Sequence, residues 1–127
     1  MACALHICVT HNNDMVTRRD RNESTAPLRP VEFHILLSLA TGERYGLAIL
    51  EEIGTRDASA VPDVGTMYRA LARMVESGLI ETVAAVDDRR VDYRITPRGL
   101  RAAKAEAHRL DALARAARLG GLLEKKA

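Results

Sequence analysis

The sequence predicts a mainly α-helical domain with one small β-hairpin and a long C-terminal helix. Apolar residues recur at helical spacing between Pro27 and Ile80. They then alternate with polar residues as far as Ile95, and a long pattern with spacings of three and four follows Pro97. Short helices followed by a hairpin are the arrangement of a winged helix-turn-helix, here with a C-terminal dimerisation helix.

Length and composition favour one domain without membrane spans. The chain has 127 residues, enough for a modest core, and its 47% hydrophobic content excludes wholesale disorder. No apolar stretch approaches the ~20 residues that span a bilayer, and the first residues lack the pattern of a secretory signal. The two cysteines, Cys3 and Cys8, lie too close to the N-terminus to crosslink the core. We therefore expect a cytoplasmic protein without disulfides.

Residues 1–26 form a predicted flexible N-terminal arm. The arm is polar after a short apolar run at its start and has no helical or strand periodicity. Met15 is an alternative translation start to Met1, and the choice between them stays open. Four residues of metal-binding type occur in the arm, namely Cys3, His6, Cys8 and His11. We predict no metal site, because their spacing matches no standard zinc motif.

Two short helices are predicted next. The first has Pro30 at its first helical position, places Val31, Ile35, Leu36 and Leu39 along one side, and ends at Thr41-Gly42. The second is predicted over Tyr45–Ile53, with Leu47, Ile49, Leu50 and Ile53 as its apolar residues. Gly54-Thr55 is expected to end it, and a polar connection over residues 56–60 leads to the next helix.

The central helix is predicted within residues 61–80. Pro62 and Asp63 suit a helix start, and Gly78 suits its end. The face predicted to be buried consists of Met67, Leu71, Met74 and Val75. The opposite face has no carboxylate before Glu76, and its hydrogen-bonding residues are Thr66, Tyr68, Arg69 and Arg73. Such a face suits the phosphates and base edges of double-stranded DNA, and the alternative is an ordinary solvated helix face.

A β-hairpin with a charged turn follows the central helix. Its strands are predicted around residues 79–84 and 91–95, where polar and apolar residues alternate. Arg89 and Arg90 lie at the tip, so the hairpin is interpreted as a wing that reaches the flanking DNA backbone or minor groove. The alternative is a solvated turn in which Asp87 and Asp88 cancel the two arginines.

The last predicted helix starts at Thr96-Pro97 and runs to about Leu119, before Gly120-Gly121. Apolar residues spaced three and four apart form an a/d seam of Leu100, Ala103, Ala107, Leu110, Ala114 and Ala117. Small residues in such a seam allow another helix to approach closely, so we predict a homodimer. The alternative is a helix that packs back on its own domain.

Five segments of the chain share a pattern with one protein family. They are Gly65–Leu71, Glu76–Ile80, Tyr93–Gly99, Leu28–Leu39 and the pair Tyr45-Gly46. Together, over residues 27–99, they resemble the PadR family of bacterial transcriptional regulators. Leu47 departs from the pattern, because an aromatic residue is usual at that position.

This resemblance implies a homodimer that binds an operator of approximate two-fold symmetry, usually to repress. The single terminal helix is similar to the shorter branch of the family. We divide the chain into an arm (1–26, longer than the family needs), a winged helix-turn-helix domain (27–97), a dimerisation helix (98–119) and a flexible tail (120–127). A small-molecule effector stays open as a further partner. Because the chain has no Trp, it lacks the side chain with which some relatives stack flat drugs between their dimer helices.

Three classes of function are compared. A DNA-binding regulator is favoured by two cationic elements on one scaffold. A winged-helix module that binds another protein is the alternative, supported by a net charge of only +2. An enzyme is not predicted, because the sequence has no nucleophile–base pair, phosphate-binding loop or paired carboxylates. No cofactor is expected, and a metal-sensing regulator is kept only as a variant of the first class.

Overall fold

Four α-helices and a three-stranded antiparallel sheet make up residues 27–84 and 90–124, the part of the chain that the computed structural model describes. In chain order the elements are α1 (Pro30–Leu39), β1 (Arg44–Tyr45), α2 (Gly46–Arg56), a 3₁₀ turn (Ala58–Ala60), α3 (Val64–Glu76), β2 (Ile80–Ala84), β3 (Val91–Ile95) and α4 (Pro97–Leu119). The predicted winged helix-turn-helix fold is confirmed. Among the described helices, none is long and apolar enough to cross a membrane. The arm with its cysteines and histidines, Arg89, and residues 125–127 lie outside the described residues.

The core is aliphatic and lies between α1, α2, α3 and the sheet. Its largest fully buried apolar side chains are Ile35, Leu36, Leu39, Ile49, Ile53, Met67, Leu71, Met74 and Ile80. The predicted buried face of α3 was wrong at one position. Val75 is 36% exposed, and Ala70 is buried in its place. Each helical residue turns the chain by ~100°, so positions 67, 70, 71 and 74 share one face while position 75 falls at its rim.

Helix α2 ends at Arg56, three residues beyond the predicted end. The backbone N–H of Asp57 still donates to the carbonyl of Ile53, at 2.9 Å. The guanidinium of Arg56 donates to the carbonyl of His34 at 2.8 Å and to the hydroxyl of Ser38 at 3.0 Å. These contacts with α1 hold the last turn in place, so Gly54 is accommodated within the helix.

The sheet has one more strand than the hairpin that was predicted. Strand β3 pairs with β2 in the register Ile80↔Ile95 to Ala84↔Val91, and with β1 on its other edge. Strand β1 is only two residues long, so it has no alternation that a sequence pattern could reveal. It fixes the start of α2 beside the wing.

Helix α4 begins at a cap that also joins it to the sheet. The hydroxyl of Thr96 accepts from the N–H of Gly99 at 3.0 Å and donates to the carbonyl of Gly78 at 2.6 Å. The first half of α4 packs on its own domain through Gly99, Ala102 and Glu106. Most side chains after Glu106 are exposed, so the second half extends away from the domain for roughly 20 Å.

Glu106 is a buried carboxylate that ties α4 to the segment before α1. Its residue is 5% exposed, and it accepts from the N–H of Leu28 at 3.2 Å and from the guanidinium of Arg109. The hydrogen bond from Arg109 lowers the pKa of Glu106 below its ordinary 4.5, and the bond from Leu28 adds to this effect although burial opposes it. Because the folded pKa is depressed, this stabilisation is complete above the unfolded pKa and is lost as the pH falls through the folded value.

We expect Glu106→Gln to lower the free energy of unfolding by about 1–2 kcal/mol at pH 7, because a charged acceptor is lost. The difference from wild type should shrink as the pH falls below 4.5. Urea denaturation at pH 7 and pH 3.5 measures both effects. Asp111→Asn on the exposed side of α4 is the control and should change little at either pH. A difference that stays constant with pH would contradict the role assigned to Glu106.

Candidate nucleic-acid interface

The N-terminal turn of α3 is fixed by its capping residue. The carboxylate of Asp63 accepts from the backbone N–H of Thr66 at 2.6 Å. Hydrogen bonds from Thr66 lower the pKa of Asp63, so the cap is ionised at neutral pH. A capped, rigid first turn suits the element of a helix-turn-helix that contacts base edges.

Arg69 lies along the outer face of this turn. Its guanidinium donates to the hydroxyl of Thr66 at 3.2 Å and is exposed to solvent. A Cβ on Gly65 would lie 3.2 Å from one of its terminal nitrogens, so the glycine gives the guanidinium room over the first turn. A guanidinium has five donors in a planar fork, and the single bond to Thr66 leaves others for a base or phosphate.

Tyr68 leans from α3 onto the start of α2. Its side chain is 43% exposed, and its hydroxyl would lie 2.7 Å from a Cβ on Gly46. The bare backbone of Gly46 therefore lets the phenol cross to the neighbouring helix. Tyr68 thus connects the outer face of α3 with the start of α2.

A cleft of about 400 Å³ separates α3 from the start of β3 in the wing. It is lined by Tyr45, Gly46, Leu47, Tyr68, Arg90, Val91 and Tyr93. All three tyrosines of the chain line this cleft. Burial raises the pKa of Tyr93, and the nearby phenol of Tyr68 adds to the rise. Tyr93 therefore stays protonated at neutral pH and can donate a hydrogen bond.

Arg90 lies at the wing side of this cleft. Its guanidinium carbon lies 4.5 Å from the centroid of the Tyr45 ring, which is a cation–π contact. Its Nε lies 3.8 Å from Oδ1 of Asp92, a buried oxygen that accepts no hydrogen bond from the residues that the structure describes. The aromatic ring and the carboxylate together hold the cation at the start of β3, next to the turn of the wing.

Arg73 lies apart from the other predicted residues. Its guanidinium approaches the carboxylate of Glu32 to 4.0 Å, in a second cleft of about 380 Å³ that also includes Arg29 and Glu76. Two arginines and two carboxylates balance the charge there. Across the described ranges, no three His, Cys, Asp or Glu side chains come together to hold a metal ion.

The structure brings four of the six predicted contact residues together in two pairs. Thr66 and Arg69 lie on the first turns of α3, and Tyr68 and Arg90 share the cleft. Tyr45 and Tyr93 were missed as members of this site. Their signal was composition, since a chain with 3% aromatic residues carries only three tyrosines, all in segments flanking the predicted recognition elements.

The predicted seam of α4 is divided between the domain and solvent. Leu100 and Leu110 are each 40% exposed, whereas Ala103 packs partly against the core. Ala107 is exposed, and Ala114 and Ala117 are half-buried. Leu113, which the seam did not include, is 55% exposed beside Leu110. The second half of α4 thus presents leucines that its own domain does not cover.

The substitution Gly46→Ala tests whether the position of the Tyr68 side chain contributes to DNA binding. The added Cβ must displace the phenol, which is half exposed and can move at little cost in stability. We expect a melting temperature close to that of wild type and an affinity for specific DNA about tenfold lower. Fluorescence anisotropy beside thermal melts measures both. Gly54→Ala is the matched control, because its Cβ would meet only Val61 at 3.4 Å. If Gly46→Ala binds DNA with wild-type affinity, the position of Tyr68 does not contribute to DNA binding.

Comparison with known proteins identifies the family of the chain. Residues 35–105 match the transcriptional regulator PadR-like family. A transcriptional regulator from Clostridium thermocellum is 30% identical, with 68% of this chain and 84% of that chain covered and a TM-score of 0.62. RosR of H. salinarum is 25% identical over 80% of this chain and 84% of that chain, with a TM-score of 0.56. A PadR-like transcriptional regulator from Bacillus cereus shares the fold, at 23% identity, 75% and 92% coverage and a TM-score of 0.62. No curated protein matches the chain.

Proposed function

The chain belongs to the PadR-like family of transcriptional regulators, and from this premise we propose that it binds an operator in double-stranded DNA as a homodimer and represses transcription. Thr66, Tyr68 and Arg69 contact the major groove and its phosphates in this proposal. Arg73 contacts a phosphate once it leaves Glu32, and Arg89 and Arg90 contact the flanking backbone or minor groove. Residues 27–97 act as the DNA-binding domain.

The observation that carries the proposal is the cleft between α3 and the wing. Tyr68 and Arg90 line it from opposite sides, and Arg69 lies on the adjoining turn of α3. Phenols and guanidiniums are donors that suit phosphate oxygens, and a recognition helix beside a basic wing can contact the groove and the backbone together. The low net charge of the chain matters less than this clustering.

A second copy of the chain would pair through α4 in this proposal. The leucines at positions 110 and 113 are exposed on the half of the helix that extends from its domain. Pairing would bury them and place two recognition helices at a fixed separation, as a pseudo-palindromic operator requires. A dimer on a promoter would then block transcription, and a small-molecule effector would act by changing this spacing.

Arg69→Ala tests the groove contact. Operators are first selected from a pool of randomised duplexes, and affinity is then measured by anisotropy over a range of salt concentrations. We expect Arg69→Ala to weaken operator binding about 10- to 100-fold without lowering the melting temperature, because one base or phosphate contact is lost. Arg115→Ala on α4 removes the same charge from an exposed site and serves as the control.

Two results would contradict the proposal. Wild-type affinity in Arg69→Ala would exclude α3 as the reading element. Failure of the wild-type chain to enrich any sequence, or binding that does not weaken with salt, would instead support the protein-interaction alternative, because neutralised phosphates make DNA binding salt-dependent.

A further inference from the structure

The outward face of α3 offers an unusual set of groups for reading bases. Residues 61–80 contain no Asn, Gln, Lys or His. The exposed positions include Val64, which is 52% exposed, Ala72, and Val75 at 36%. The strongest donor on the first turns of the helix is Arg69. Its partner Thr66 already accepts a hydrogen bond from it.

This set limits which base pairs the helix can distinguish. Adenine is normally read in the major groove by the amide of Asn or Gln, and α3 has neither. A guanidinium reads guanine, so Arg69 can distinguish a G·C pair. The remaining signal for an A·T pair is the C5-methyl group of thymine, which is read by apolar contact. An exposed apolar side chain on α3 is therefore suited to an A·T pair, whereas the hydroxyl of Thr66 can contact either kind of pair.

Val64 is the apolar residue best placed for this contact. It is the first residue of α3, directly after the capping Asp63, and the N-terminal residues of a recognition helix contact base edges. Its β-branched side chain has few rotamers, so it presents a fixed apolar surface. Val61 is also 41% exposed, but one of its methyl groups packs towards Gly54 of α2. That methyl lies 3.4 Å from the position that a Cβ on Gly54 would occupy.

We propose that Val64 reads the methyl group of a thymine in each half-site, close to the guanine that Arg69 contacts. The inference rests on the proposed DNA-binding function and deepens it. Five residues of helix correspond to roughly 7.5 Å along the axis and a rotation of ~140°, so we expect the two side chains to contact different base pairs.

Replacing single thymines by deoxyuridine tests the proposal, because only the methyl group is removed. In the selected operator we expect one thymine per half-site at which deoxyuridine weakens wild-type binding about fourfold, the factor for one buried methyl-sized group. Val64→Ala should weaken binding to the thymine operator by a similar factor and should no longer respond to that replacement. Val61→Ala is the matched control and should keep the wild-type response.

Each outcome bears on the proposal. It is overturned if no thymine is sensitive to loss of its methyl group, or if Val64→Ala keeps the wild-type sensitivity, and in either case specific DNA binding still stands. If the chain selects no operator at all, the proposed function fails and this inference fails with it. Melting curves of both variants establish that they are folded, since exposed valines contribute little to the core.

Discussion

Gly99→Ala should destabilise the domain by about 3 kcal/mol, although the same exchange within a helix normally stabilises by up to ~1 kcal/mol. A Cβ on Gly99 would lie 2.0 Å from the carbonyl oxygen of Leu79 and 3.0 Å from the side chain of Ile95. The carbonyl cannot easily move, because it accepts from the backbone N–H of Thr96 at 3.1 Å. The first turn of α4 must therefore shift away from the sheet. We expect the melting temperature to fall by ~15 °C at fixed protein concentration.

Gly120→Ala at the end of α4 is the matched control for this change. Gly120 has a φ of −83°, and its nearest neighbour to an added Cβ is the carbonyl of Ala116 at 3.4 Å. That variant should differ from wild type by less than about 1 kcal/mol. If Gly99→Ala is as stable as Gly120→Ala, the close contact between α4 and the start of β2 is not a constraint on the fold.

Features set by neighbouring residues were predictable from the sequence. Asp63 and Thr96 cap their helices by hydrogen bonds to residues three positions later, so their chemistry is visible in a short window. Strand β1 was not visible, because its pairing with β3 joins residues about 50 positions apart. The end of α2 was misplaced for the same reason, since Arg56 is held by α1.

The candidate site was likewise predictable from the sequence only in part. Periodicity placed Tyr68 and Arg69 on the outer face of α3, and the structure has both exposed there. Periodicity does not show which carboxylate a long cation approaches, so the contact of Arg73 with Glu32 could not be predicted. The position of Arg90 over the Tyr45 ring likewise depends on a strand pairing that only the fold supplies.

Leu110→Glu should dissociate the proposed dimer and lower operator affinity by more than 100-fold. Leu110 is 40% exposed on the part of α4 that its own domain does not cover, so the change should leave the isolated domain folded. In a two-fold dimer the seam would bury both carboxylates and bring them near one another, and each of these effects opposes association. A monomer holds only one half-site, so it loses the gain in affinity that comes from linking two binding elements. We expect this loss to exceed that of any single substitution on α3.

Ala112→Glu separates this effect from the added charge, because position 112 is exposed and lies opposite the seam. That variant should sediment and bind like wild type. Analytical ultracentrifugation at micromolar protein, beside operator titrations, measures association and affinity together. If the Leu110→Glu variant stays dimeric, the dimer interface does not include this seam and lies instead around Leu113 or on another face of the helix. A wild-type monomer that binds a full operator tightly would mean that α4 braces its own domain and that each recognition helix acts alone.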